Sequence, residues 1–180
     1  MNIPNLLTLL RIILVPVIVI FLIQDEYVKA LITFTAAGLT DALDGTLARL
    51  LNKQTALGAF LDPLADKVLL STSFIALAIF HLIPGWLTVI VISRDLIILI
   101  GILTLTMMSV SYEIKPVFVS KITTALQIAT VFFALLLKSF TIGTLSYDVI
   151  KIFSWLTASF TVISGLVYIF KGISFLNRSA

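Results

Sequence analysis

An all-α bundle of six membrane-spanning helices is the fold this sequence predicts, and two observations carry the prediction. The first is composition. Of the 180 residues, 60% are hydrophobic and only 12% charged, where an ordinary soluble domain has about 45–50% and about 25%. Mean hydropathy is +1.18, and so few polar side chains cannot coat a water-soluble core of this size. The second is the spacing of the apolar runs. Six stretches approach the roughly 20 residues that a helix needs to cross the hydrocarbon.

In chain order the stretches are Ile3–Ile23, Tyr27–Leu50, Phe60–Ile83, Trp86–Met108, Pro116–Leu137 and Ser146–Phe170. The first contains Arg11 and is followed by no small-residue cleavage site, so it reads as a span and not as a removable leader. It ends at Gln24-Asp25-Glu26. The second ends in the polar turn Asn52-Lys53-Gln54, and the third at Pro84-Gly85. Ser109 to Lys115 closes the fourth, and Lys138 to Thr144 closes the fifth. Neither an internal repeat nor a low-complexity tract divides the chain, so residues 1–180 form one domain. Ala36, Ala37 and Gly38 would permit close helix packing. Trp86, Tyr112, Tyr147 and Tyr168 suit the membrane interface, as does His81 beside a turn.

Basic residues concentrate at the N-terminal side, at Arg49/Lys53, at Lys115 and at Lys171/Arg178. The opposite turns hold Asp25, Glu26, His81 and Asp148, with Lys29, Lys138 and Lys151 as a basic minority. By the positive-inside rule both termini face the cytosol. In a bacterium this would be an integral protein of the cytoplasmic membrane. The net charge of +3 is too small and scattered for a nucleic-acid footprint, but it suits loops facing anionic lipid. The absence of cysteine excludes a disulfide scaffold.

The acids carry the functional signal. Four of the nine, Asp41, Asp44, Asp62 and Asp66, fall within 26 residues, on the second and third spans. An ionised carboxylate in a span centre costs about 2.5–3.5 kcal/mol, and four together repel one another. Depth follows from a rise of 1.5 Å per residue: Asp41 lies roughly 21 Å and Asp66 roughly 25 Å from the non-cytosolic face. In a core about 30 Å thick both sit toward the cytosolic end, brought together by a turn at Asn52–Leu57. Asp41 and Asp44 share a helix face, as do Asp62 and Asp66. Gly45 and Ala48 leave a recess beside the first pair. Oxygen donors without His or Cys select Mg²⁺ or Mn²⁺, and four carboxylates suit two ions, which can clamp a phosphoryl centre. Arg49 and Lys67 could pair with two of the acids, leaving two unmatched. A cation or proton transporter is an alternative, but its acids would lie near the midplane in paired halves, and no matching motif occurs in the second half.

The run D-A-L-D-G-T-L-A-R, eight residues, then G-A-F-L-D-P-L-A-D resembles the signature of the CDP-alcohol phosphatidyltransferases, D-x-x-D-G-x-x-A-R, eight residues, G-x-x-x-D-x-x-x-D. All eight fixed positions match: Asp41, Asp44, Gly45, Ala48, Arg49, Gly58, Asp62 and Asp66. The resemblance covers essentially the whole chain, since the family also has six spans. It implies that an alcohol attacks the β-phosphorus of a cytidine-diphosphate lipid and that CMP leaves. It implies that Asp41, Asp44 and Asp62 hold two Mg²⁺ or Mn²⁺ ions, and that Asp66 touches metal and serves as general base. It also implies a nucleotide recess lined by Gly45, Ala48 and Gly58, with Arg49 either contacting phosphate in the donor site or bracing the acids, Asn5 and Thr8 near the donor phosphates, and a homodimer.

The start N-I-P-N-L-L-T-L-L-R and the run L-D-P-L-A-D-K resemble phosphatidylglycerophosphate synthases, whose donor is CDP-diacylglycerol and whose acceptor is glycerol 3-phosphate. A phosphorylated acceptor needs cations, and Arg94 in I-S-R-D and Lys121 in V-S-K-I-T-T-A-L-Q are the candidates. Those synthases commonly read G-K-x-K-T near Lys121, where this chain reads S-K-I-T-T. The segments I-S-R-D and K-P-V-F-V-S-K also resemble the cardiolipin synthases of the superfamily, which use phosphatidylglycerol as acceptor. That acceptor stays open beside glycerol 3-phosphate.

Overall fold

The computed structural model describes the backbone of residues 3–50, 56–107, 118–140 and 145–179, and the side chains of residues 9–40, 65–104, 118–140 and 147–174. Among these the chain is all helical. It contains α1 (Ile3–Ile23), α2 (Tyr27–Leu50), α3 (Ala56–Ile79), α4 (Gly85–Met107), α5 (Phe118–Ser139) and α6 (Leu145–Ser179). Helix α1 packs on α2 and α3, α4 packs on α3 and α6, and α5 is held by α6, α2 and α3.

Three of these helices are long and apolar enough to cross a membrane, over Gly85–Thr104, Phe118–Ser139 and Tyr147–Ser174. Leu9–Ile23 and Tyr27–Thr40 are shorter apolar segments. The expected six spans therefore have six helices behind them, of which three meet the length and hydropathy of a span among the described residues.

Burial is inverted relative to a soluble protein. Arg11, Arg94, Gln127 and a set of Ser and Thr residues are buried, whereas Leu99, Ile100, Leu103, Trp155 and Phe170 are exposed. Water would reject this arrangement, since large contiguous apolar surfaces are covered in soluble monomers. Surrounded by lipid tails, an apolar exterior costs nothing, and helices associate through small and hydrogen-bonding side chains. This is a membrane protein.

The interior has two parts. Val15, Ile18 and Leu22 of α1, Ala30, Phe34 and Ala37 of α2, and Leu70, Phe74 and Leu77 of α3 are buried. Their spacings of three, four and seven keep each set on one helix face. The α5–α6 seam is polar. Thr130 and Thr157 share a hydrogen bond of 2.7 Å, and the Thr123 hydroxyl donates to the Phe160 carbonyl at 3.1 Å. Thr88 of α4 likewise donates to the Phe74 carbonyl of α3 at 3.0 Å. Of the small residues expected to bring helices together, only Ala37 is buried. Ala36 and Gly38 are exposed, and a Cβ on Gly38 would meet nothing within 4 Å.

The third and last helices differ most from their apolar runs. Helix α3 begins at Ala56 and ends at Ile79, four residues before the run does at Ile83. The reason is a Schellman cap. Leu82 N–H donates to the Leu77 carbonyl at 2.8 Å and His81 N–H to the Ala78 carbonyl at 3.1 Å, with His81 left-handed at φ 56°. Leu82 and Ile83 are apolar because the turn tucks them into the core, not because they continue the helix. Helix α1 ends the same way: Glu26 N–H reaches the Phe21 carbonyl at 2.9 Å around Asp25 at φ 57°. At its other end the last helix runs past the apolar stretch to Ser179. Its 35 residues span roughly 52 Å at 1.5 Å each, more than a bilayer core.

A left-handed residue favours glycine and penalises a branched Cβ by about 1–2 kcal/mol. His81→Val should therefore unfold at lower temperature than His81→Gly in detergent. Equal transition temperatures for the two would contradict the cap.

Candidate active site

The acid motif occupies the end of α2 and the start of α3. The backbone puts Asp41, Asp44, Gly45, Ala48 and Arg49 on α2, and Gly58, Asp62 and Asp66 on α3. Asn5 and Thr8 are on α1. Of all these, only Asp66 has its side chain among the described residues; the other side chains, and the connection from residue 51 to 55, lie outside them.

Asp66 is held from α1. An Nη1 hydrogen of Arg11 is donated to Asp66 Oδ1 at 2.7 Å, and the side chains are 1% and 45% exposed. A guanidinium stays charged in any protein environment, so Arg11, buried in an apolar helix, needs an anion. The carboxylate supplies it while keeping nearly half its surface open. Sequence reading placed Arg49 and Lys67 as the neighbouring cations and missed Arg11 as a partner. A usable signal was present in the depth. Arg11 lies eight residues into α1 and Asp66 ten into α3, or roughly 12 and 15 Å from helix starts at the same end of the bundle.

Among the described residues Lys67 pairs away from Asp66. Its ammonium pairs with Asp95 of α4. The same Asp95 Oδ1 accepts from Arg94 Nη1 at 2.7 Å. Arg94 Nη2 donates to Ser120 Oγ at 2.6 Å and to Ser164 Oγ at 2.7 Å. The guanidinium lies 5.7 Å from the centre of the Tyr168 ring, so Tyr168 braces a buried cation in addition to any interfacial role. Consecutive residues of α3 are thus tied in two directions. Asp66 reaches α1, and Lys67 reaches a network joining α4, α5 and α6.

The two expected acceptor cations differ in setting. Arg94 is 5% exposed and engaged by Asp95, Ser120 and Ser164. Its Nε–H is without a partner among the described residues. Lys121 is exposed and follows directly on Ser120, which joins it to the same network through the chain.

A bundle with an apolar exterior and a half-open carboxylate in the first half of α3 defines a membrane protein with a polar group accessible inside its helix bundle. Residues 1–163 match the CDP-alcohol phosphatidyltransferase family, and the chain belongs to it. It is similar to the CDP-diacylglycerol–glycerol-3-phosphate 3-phosphatidyltransferase of Bacillus subtilis, at 35% identity over 99% of this chain and 98% of that one. The enzyme of the same name from Aquifex aeolicus is 39% identical over 56% of this chain and 58% of its own. The rat cardiolipin synthase (CMP-forming) is 39% identical over 72% of this chain and 48% of its own. The chain therefore matches about half the length of that cardiolipin synthase and nearly all of the Bacillus enzyme.

Replacing Asp66 by Ala leaves Arg11 buried without this counter-charge. Because Asp66 is half-exposed, losing the pair costs about 1–3 kcal/mol, less than a fully buried pair would. Asp66→Ala should show a clearly lowered unfolding transition in detergent. A wild-type transition would show that the pair carries no stability.

Proposed function

We propose that this chain is an integral-membrane phosphatidyltransferase. It would move a phosphatidyl group from CDP-diacylglycerol to a hydroxyl of glycerol 3-phosphate and release CMP, in phospholipid biosynthesis. The observation that carries the acceptor is end-to-end similarity to the Bacillus enzyme named for that reaction, together with the complete eight-residue motif. A second reading has support of its own. At 39% identity to a cardiolipin synthase, phosphatidylglycerol is the alternative acceptor. Family membership favours transfer chemistry over ion transport.

In the proposed mechanism Asp41, Asp44, Asp62 and Asp66 would hold two ions. The donor set fits hard divalent cations, because the motif offers carboxylate oxygens without His or Cys and Asp66 is accessible. Bound Mg²⁺ or Mn²⁺ would neutralise the diphosphate and the departing CMP. Asp66 takes the proton of the acceptor hydroxyl. The hydroxyl oxygen forms a bond to the β-phosphorus, and the bond from that phosphorus to the CMP oxygen breaks. Arg11 fixes the orientation of Asp66. Gly45, Ala48, Arg49 and Gly58 would receive the nucleotide, with Asn5 and Thr8 beside the donor phosphates. Lys121 would meet the acceptor phosphate, and Arg94 would support it from beneath Ser120.

The proposal includes one domain over residues 1–180, six spans, and both termini with the acid end facing the cytosol. Six helices with an apolar exterior support the spans, and the distribution of basic residues supports the orientation. The homodimer rests on the family resemblance.

The test is CMP release by the purified protein in detergent, with CDP-diacylglycerol, Mg²⁺ or Mn²⁺, and each acceptor offered separately. Release with glycerol 3-phosphate is expected. It should stop in excess chelator and return with either metal, and Asp66→Asn should lower it about 100-fold or more. Release only with phosphatidylglycerol would move the assignment to the second reading. Full activity in chelator would overturn the metal mechanism.

A further inference from the structure

The opposite end of the bundle carries a second polar feature that the transfer reaction does not use. A cavity of about 910 Å³ opens between the first turns of α2 and α4, the first three turns of α6, the α3–α4 turn and the last turn of α5. Its lining includes His81, Lys138 and Lys151, and among the described residues contains neither Asp nor Glu. The nearby acids are placed elsewhere. Asp25 accepts the Tyr27 hydroxyl at 2.6 Å, Glu26 pairs with Lys29 at 2.9 Å, and Asp148 lies in the first turn of α6 outside the lining. Lys138 is positioned, with its ammonium 5.3 Å from the centre of the Tyr27 ring.

Two further observations define what the cavity would take. Ser154 lines it, is fully buried, and has a hydroxyl without a partner among the described residues. A buried hydroxyl left unmatched costs free energy that a ligand oxygen would recover. Trp86 and Trp155 also line it, with ring centres 5.1 Å apart, and both are exposed. Beside them Ile79, Phe140 and Ile152 are exposed apolar side chains. Aromatic residues at a helix end mark the headgroup level of a bilayer. The site thus joins cations and a spare hydroxyl to an aromatic and apolar rim, and its volume is that of a small-molecule pocket.

We propose that this cavity binds the phosphodiester headgroup of an anionic phospholipid. Lys138 and Lys151 would neutralise the phosphate, Ser154 and the His81 ring would offer hydrogen bonds, and the acyl chains would lie along the exposed apolar surface. Free phosphate shares the anionic chemistry but has no use for the apolar rim.

The protein carries its own reporter, since Trp86 and Trp155 are the only tryptophans of the chain. Purified full-length protein would be placed in nanodiscs with increasing fractions of chain-brominated phosphatidylglycerol or chain-brominated phosphatidylcholine, and tryptophan quenching followed. The anionic lipid should half-quench at a mole fraction lower by about fivefold or more. Lys138→Gln/Lys151→Gln should abolish that preference, while Lys138→Arg/Lys151→Arg and Lys29→Gln should retain it. The arginine pair and the two single glutamine variants serve if the double glutamine variant does not fold. Equal quenching by both lipids would overturn the proposal. So would loss of preference in Lys29→Gln, which would reduce the effect to general surface charge. Removal of the preference by millimolar inorganic phosphate, against a salt-matched control, would show a soluble-phosphate site and overturn the lipid assignment.

Discussion

A guanidinium buried in an apolar helix constrains everything around it. Arg11 cannot lose its charge and lies almost wholly inside the bundle, so an anion must stand at its depth. Asp66 answers that requirement from α3 and is also the last acid of the motif. The same contact that makes α1 tolerable beside α3 therefore decides where this carboxylate points. Lys67, the next residue, extends the constraint through Asp95 and Arg94 to three more helices. Helix α3 is thus held by charge on two sides at Asp66 and Lys67, and the Asp66 side chain keeps 45% of its surface exposed.

Between the charged ends the bundle is held by different forces. Interdigitated aliphatic side chains join α1, α2 and α3. Hydroxyl-to-hydroxyl and hydroxyl-to-carbonyl bonds join α5 to α6. In lipid the hydrophobic effect does not draw apolar helices together, so close packing and hydrogen bonds carry the association. The outward faces remain apolar because their solvent is hydrocarbon.

Much of this was legible in the sequence. The long apolar runs and the polar breaks between them located six helices, because hydrophobic length is a strong signal. Four carboxylates at fixed spacing pointed to the family that residues 1–163 match, because charge in an apolar run requires a reason. The failures have physical causes as well. Leu82 and Ile83 extended the third run past its helix, since burial and helicity are separate properties. Arg11 entered only as a charge inside the first span, because Asp66 is 55 residues away and pairing across helices leaves no local pattern. Lys67 passed as a partner of the acids beside it, although its ammonium crosses to α4. Lys138 and Lys151 read only as a minority against the orientation rule, and their common cavity became visible once the turns were brought together in space.

The claim on which the proposed mechanism rests is that Arg11 positions Asp66 for proton transfer and does more than hold α1 in place. The most direct measurement is the kcat and donor KM for CMP release by Arg11→Met and Arg11→Lys, taken well below each variant's unfolding temperature. A fall in kcat of about 10-fold or more in Arg11→Met, with donor KM little changed and part of the rate restored in Arg11→Lys, is the predicted result, since a displaced general base forfeits part of the 10²–10⁴-fold that such a group contributes. Wild-type kcat in folded Arg11→Met would contradict it.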